Sequence, residues 1–114
     1  MPYDIHQEKE YTQDAQSVHA AALKSVEKLS GKIVTSAPAD LRFEVKFDKT
    51  LLGKVLGDRT QLTCVVTANG AGSKVSIDAY PLDAIGRKLM FGARAGVTQT
   101  VINLFIEQLE NNLT

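Results

Sequence analysis

The sequence predicts an α+β domain: a curved antiparallel sheet packed against two helices, in the order strand, helix, four or five strands, helix. Three observations predict it. A stretch with helical spacing at residues 13–30 is followed by a glycine. A contiguous run of alternating segments fills residues 41–91 and is broken by turn residues. A long apolar helix occupies roughly 96–112. Because the strands are contiguous and no helix separates them, an antiparallel meander is favoured over a parallel βαβ arrangement. The 114 residues suit one domain, residues 1–114, with no repeat or linker to divide it.

Taken in order, Tyr3, Ile5 and Tyr11 share one parity, and Asp4, His6, Glu8 and Glu10 the other. This alternation fits a half-buried edge strand. The helix at 13–30 has Thr12 as its expected N-cap and Asp14 in its first turn, where a negative charge suits the dipole. Ala15, Val18, Ala22, Val26 and Leu29 form its apolar stripe, and Gly31 is the expected left-handed residue at its end. Lys32–Ser36 reads as a short strand with Ile33 or Val34 inward, and Ala37-Pro38-Ala39-Asp40 as a turn. Leu41, Phe43, Val45 and Phe47 then alternate with Arg42, Glu44 and Lys46. Residues 48–59 fit either a short strand or a long loop.

Thr60–Ala68 places Leu62, Cys64 and Val66 on one parity. Asn69-Gly70-Ala71-Gly72 reads as a hairpin turn, because Asn and Gly supply positive φ. Lys74–Tyr80 is the partner strand, with Val75, Ile77 and Ala79 inward. Pro81 has no N–H for a ladder and marks an edge or a bulge. A last strand is expected at Arg87–Phe91, with Leu89 and Phe91 inward. In the final helix Val97, Val101, Leu104 and Phe105 form one stripe, and Ile102, Ile106, Leu109 and Leu113 a second beside it. This arc is wider than one sheet contact needs. Either a curved sheet grips the helix or a second subunit covers part of it. Glu107 and Glu110 sit at its C-terminal end, where the dipole disfavours them.

The layout resembles a reduced helix-grip domain of the START-like superfamily, which includes polyketide cyclases and pollen allergens, or its shorter TATA-binding-protein-like relatives. The residues that carry the resemblance are Tyr11-Thr12-Gln13-Asp14 through Leu29-Ser30-Gly31, Gly57-Asp58-Arg59-Thr60-Gln61-Leu62-Thr63 with the Asn-Gly hairpin, and the apolar C-terminal helix. The larger members have an extra helix and more strands, so a large cavity does not follow here, and the resemblance transfers no catalytic residue. It implies a ligand site between sheet and C-terminal helix. The inward set would line it, with Phe43, Val45, Phe47, Cys64, Val66, Ile77, Phe91, Val101 and Phe105 as the lining residues. Such a lining suits a hydrophobic or lipid-like molecule. The competing expectation is a filled core, since interiors are normally close-packed.

Composition narrows the function classes. Lys+Arg and Asp+Glu both number 13, so the basic excess expected of a nucleic-acid binder is missing. Residues 1–40 carry four basic and six acidic side chains, and residues 41–94 nine and five. The single cysteine, Cys64, excludes an intrachain disulfide and fits a reducing, cytoplasmic setting. Its place on an apolar parity suits packing more than nucleophilic chemistry. No stretch approaches a membrane span. His6 and His19 have no companion ligands at coordinating spacing, so no metal or cofactor is expected. The pairs Asp58-Arg59 and Asp83…Arg87 read as surface charge near turns.

One segment fits an anion site. Gly92-Ala93-Arg94-Ala95-Gly96 leads into a helix N-terminus, with Arg87, Lys88 and Arg94 nearby. It matches neither the P-loop nor the dinucleotide pattern. No catalytic constellation appears. The reading is a non-enzymatic binder of a hydrophobic ligand. The alternative is an assembly module, a homodimer through the C-terminal helix with Ile102, Ile106 or Leu113 exposed in the monomer.

Overall fold

In the computed structural model, which describes residues 3–94 and 96–113, the chain runs β1 (Ile5–Tyr11), α1 (Ala15–Lys28), β2 (Lys32–Ala37), β3 (Arg42–Phe47), β4 (Thr50–Leu51), β5 (Lys54–Val55), β6 (Arg59–Asn69), β7 (Gly72–Leu82) and α2 (Val97–Leu113). Five strands form one antiparallel sheet in the order β1-β7-β6-β3-β2, and β4 pairs with β5 in a small separate hairpin. Both edges of the main sheet are open, so it does not close into a barrel.

The β6–β7 hairpin is the centre of the sheet. It is paired from Arg59↔Leu82 to Asn69↔Gly72. Its turn is Gly70-Ala71, with Gly70 at φ 64 in the first central position, the type II′ geometry that suits strand twist. Thr60, Leu62, Cys64 and Val66 on β6, and Ser73, Val75, Ile77 and Ala79 on β7, are buried on one face. Pro81 is inside β7 but past the last β1 pair, Ile5↔Ala79, where that side of the ladder has ended. The stretch 48–59 left open by the sequence contains the β4–β5 hairpin, whose turn Leu52-Gly53 has φ of 50 and 79.

α1 begins two residues later than expected. Asp14, not Thr12, is the N-cap: its carboxylate accepts from the Ser17 amide at 3.3 Å and from the Ser17 hydroxyl at 2.6 Å. Asp14→Ala is expected to cost about 1 kcal/mol of stability, read as a lowered urea midpoint with unchanged slope. At the other end the left-handed residue is Ser30, at φ 57, and not Gly31. The Ser30 amide donates to Glu27 O at 3.1 Å and the Gly31 amide to Val26 O at 2.9 Å, a Schellman closure. Gly31 is needed for space instead, since a Cβ there would sit 2.7 Å from the Phe47 and Val45 side chains.

Two strand expectations fail. β2 is the outermost strand, next to β3 alone, and it carries a register shift between Ile33 and Thr35. Neither helix covers it, so Ile33 and Val34 are exposed instead of inward. Arg87–Phe91 is not a strand. β1 and β6 occupy the two edges of β7, leaving open only the short piece beyond Ala79. The chain takes just that piece: the Leu89 amide donates to Pro81 O at 2.9 Å, and Leu82 and Lys88 form one isolated bridge. Leu89 is half-buried and Phe91 is 87% exposed.

Both helices lie on the same face of the sheet and touch each other. Val18, Ala21, Ala22, Val26 and Leu29 from α1 meet Val101, Ile102, Phe105, Ile106 and Leu109 from α2 in one core with the inner sheet face. Small side chains allow the helices to approach. Asn112 Nδ2 crosses to Ala21 O and to Ser25 Oγ, both at 3.2 Å. Glu110, unfavourably placed for its helix dipole, is answered from β1: Lys9 Nζ lies at 2.5 Å, and the Tyr11 hydroxyl donates to it at 3.0 Å. These contacts hold its carboxyl below the usual range.

Candidate functional site

The sheet face that would line an internal pocket is packed against α2. Phe43, Val45, Phe47, Cys64, Val66, Ile77, Val101 and Phe105 are all buried in the one core. Phe105 meets Phe43 at 6.3 Å and Phe47 at 6.4 Å between ring centroids, and His19 meets Phe43 at 6.0 Å. The ninth expected lining residue, Phe91, is on an exposed loop away from them. Burial pushes the Cys64 thiol up to about 12, which suits packing and removes it as a nucleophile.

Open space lies at one end of the sheet. β3, β6 and β7 reach the same end, because Phe47 pairs with Thr60 and Arg59 with Leu82. The loops that leave them enclose a cleft of about 610 Å³, walled by Leu82 and Leu89 and edged by Asp48, Lys49, Asp58, Arg59 and Asp83. Local hydrogen bonds fix this rim. The Asp83 carboxylate accepts the amides of Ile85 at 3.0 Å and Arg87 at 2.9 Å, closing the turn that ends β7. Those amides hold the Asp83 carboxyl below its ordinary value. Arg59 reaches across the same turn, its Nη2 donating to Asp83 O at 2.8 Å and Ala84 O at 3.0 Å. Its charge is held by carbonyls and leaves the carboxylates to others. On the far side, the amides of Leu56 and Gly57 both donate to Lys49 O, which ties the root of the β4–β5 hairpin.

The three residues of the expected anion site are divided. Arg94 and Gly96 share a smaller cleft of about 210 Å³ with Tyr3, Asp4, Ile5, Thr98 and Gln99. Arg87 lines neither cleft and faces Asp83 at 3.8 Å. The Arg94 amide donates to Asp58 at 2.8 Å, and its guanidinium lies 4.0 Å from the same carboxylate. Gly57, at φ 96, leaves room for the Arg94 side chain, which a Cβ would displace. Ala95, within this segment, lies outside the described residues.

Among the described residues no group of three or more His, Cys, Asp and Glu side chains is placed to hold a metal ion. The two histidines titrate in opposite senses. Exposed His6 bonds Asp78 at 2.8 Å and Glu8 at 3.1 Å, which raises its pKa. It therefore adds stability below its unfolded value of 6.5 that is lost as the pH rises through the folded pKa. His19 is buried with Nε2 unpartnered, and desolvation lowers its pKa from 6.5. Its unfolded form binds the proton first, so its contribution falls as the pH drops below 6.5. In a His6→Gln background, urea midpoints are expected to fall with acid between the unfolded and folded His19 pKa values. Adding His19→Leu should flatten that slope, and an unchanged slope would assign it to other groups.

Most of the apolar arc of α2 is covered within the chain. Ile102 and Ile106, expected to be exposed in a monomer, are buried by the chain itself, and Leu113 is partly covered. No helix among the described residues is long and apolar enough to cross a membrane.

No family model matches the chain, and no curated protein matches it in sequence. Among solved structures, that of Ara h 8.0201 superposes with a TM-score of 0.69, over 97% of each chain, at 12% identity. Protein CV1439 from Chromobacterium violaceum gives 0.61 over 99% of this chain and 95% of its own, at 12% identity. The di-domain ARO/CYC BexL from the BE-7585A biosynthetic pathway gives 0.60 over 96% of this chain and 46% of its own, at 11% identity. At such identities the likeness shows the fold alone, and that fold is the helix grip.

Proposed function

From a helix-grip fold with a packed interior, we propose that the protein is a non-enzymatic binder of a hydrophobic or lipid-like small molecule. The ligand enters the grip at the loop end, on the path from the sheet to α2. The observation that carries the reading is the 610 Å³ cleft, with half-buried Leu89 in its wall beside buried Leu82 and a charged rim of Asp48, Lys49, Asp58, Arg59 and Asp83. An apolar body against Leu89 and a polar head at the mixed-sign rim, where Lys49 is a cation without a carboxylate partner among the described residues, would satisfy both surfaces. A longer ligand would have to part α2 from β3, and the three-ring cluster opposes that. The site therefore favours a short chain or a single fused ring system.

The test is native mass spectrometry of freshly purified protein, followed by titration with dodecanoate. A co-purifying small mass, or one dodecanoate per chain that Leu89→Glu abolishes, is the expected result. A bare chain that takes up no dodecanoate would end the proposal.

A further inference from the structure

Five of the seven exposed large apolar residues among the described residues belong to the loops at the cleft end: Leu52, Val55, Ile85, Met90 and Phe91. Three of them are more than two-thirds exposed, Val55 at 79%, Ile85 at 71% and Phe91 at 87%. They stand on separate loops, the β4–β5 hairpin, the Asp83 turn and the segment before α2. All three loops border the one cleft or are rooted at its rim. Single exposed apolar residues are normal on a protein surface, but a cluster at one end marks a contact.

The charge of these loops separates them from the rest of the chain. Residues 48–59 and 83–94 carry six basic and three acidic side chains, although the whole chain is balanced. Lys49 and Lys54 have no carboxylate partner among the described residues. Arg87 and Arg94 keep 76% and 63% of their side chains exposed despite their long contacts to Asp83 and Asp58. Apolar tips set among cations match a surface that is apolar below and anionic above.

We propose that this end of the molecule docks on the anionic surface of a lipid bilayer. Phe91, Val55 and Ile85 would enter the headgroup boundary, and Lys49, Lys54, Arg87 and Arg94 would meet the phosphates. Affinity for such a surface grows with buried apolar area and with attraction to anionic lipid. A second copy of the chain fits less well, because a two-fold contact would bring the same cations face to face. The docking does not depend on a ligand in the cleft.

The experiment is co-sedimentation of the full chain with phosphatidylcholine vesicles, with and without phosphatidylglycerol. Binding to the anionic vesicles alone, weakened by added salt, is the expected result. Phe91→Ser with Val55→Ser should lower the partition at least about tenfold without changing the circular dichroism spectrum. Lys49→Gln with Lys54→Gln should flatten the salt dependence. The chain contains no Trp, so Phe91→Trp gives a second readout, a blue-shifted emission on adding anionic vesicles. Absence of binding to anionic vesicles, or binding that the serine variant retains, would overturn the proposal. So would a concentration-dependent dimer that the serine variant loses, without vesicle binding, since the patch would then belong to a second copy. Leu89→Asn, a neutral change in the cleft wall, separates the two readings: vesicle binding that survives it while dodecanoate uptake is lost is the docking surface acting alone.

Discussion

Phe105→Ala is expected to lower the unfolding free energy by about 3–5 kcal/mol, the cost of emptying a large aromatic site in a core that cannot collapse around it. Phe105 is fully buried and is the ring that meets both Phe43 and Phe47, so it joins α2 to β3 from the middle of the helix. Its neighbours are held by sheet pairing on one side and by α1 on the other, which leaves little freedom to fill the void. Urea unfolding of the variant beside Phe91→Ala makes the comparison clean. The second change removes the same side chain from an exposed loop and should shift stability by no more than about 0.5 kcal/mol. Equal losses would mean that the three rings do not form the packed layer described. The same variant probes the grip itself, because dodecanoate uptake that increases in Phe105→Ala would show the interior to be a ligand site closed by this ring.

Gly72→Ala should cost about 2–3 kcal/mol, by overpacking against backbone that has no rotamer to change. A Cβ at Gly72 would run into the carbonyl oxygen of Tyr11, the last residue of β1. The only relief is to move β1 away from β7, which would strain the Tyr11↔Ser73 end of the ladder. Gly70, two residues earlier in the same turn, has open space around it and needs only its positive φ. Gly70→Ala should therefore cost about 1 kcal/mol. Hydrogen exchange of the β1 amides tells the two apart: faster exchange near Tyr11 is expected for the first variant and not for the second. A Gly72→Ala protein as stable as the parent would show that β1 yields easily.

Much of the fold was legible because period-2 alternation and helical spacing report which face of an element is apolar. β3, β6, β7, α1 and α2 all appear where that patterning places them, and the two ends of the sheet follow from Asn69-Gly70 and the Asp83–Gly86 turn. The misses share a cause, since patterning says nothing about which neighbour a strand has. Ile33 and Val34 look like core residues until β2 proves to be outermost. Leu89 and Phe91 look like a strand until β1 is seen to occupy the edge of β7 that they would need. The candidate site was least legible. Its residues come from three loops, and what joins them is the hydrogen bonding of the Asp83 and Arg59 side chains and of the Lys49 carbonyl, at positions whose local sequence suggests only surface charge. The Asp83-x-x-Gly86 spacing was the one available signal of an ordered rim.

The pairing of β1 with β7 bears on how the chain is made. His6 and Asp78, which meet across that ladder, are 72 residues apart. Translation supplies the chain from its amino end at about 5–20 residues per second. β1 and α1 therefore emerge seconds before the strand and the helix that cover them. The β6–β7 hairpin, local in sequence and closed by a tight turn, can form as soon as it leaves the ribosome. It would then act as the template onto which the waiting first strand is recruited. Ribosome-stalled chains that end before β7 should expose the α1 stripe to chaperones, and only chains from which α2 has also emerged should bury that stripe.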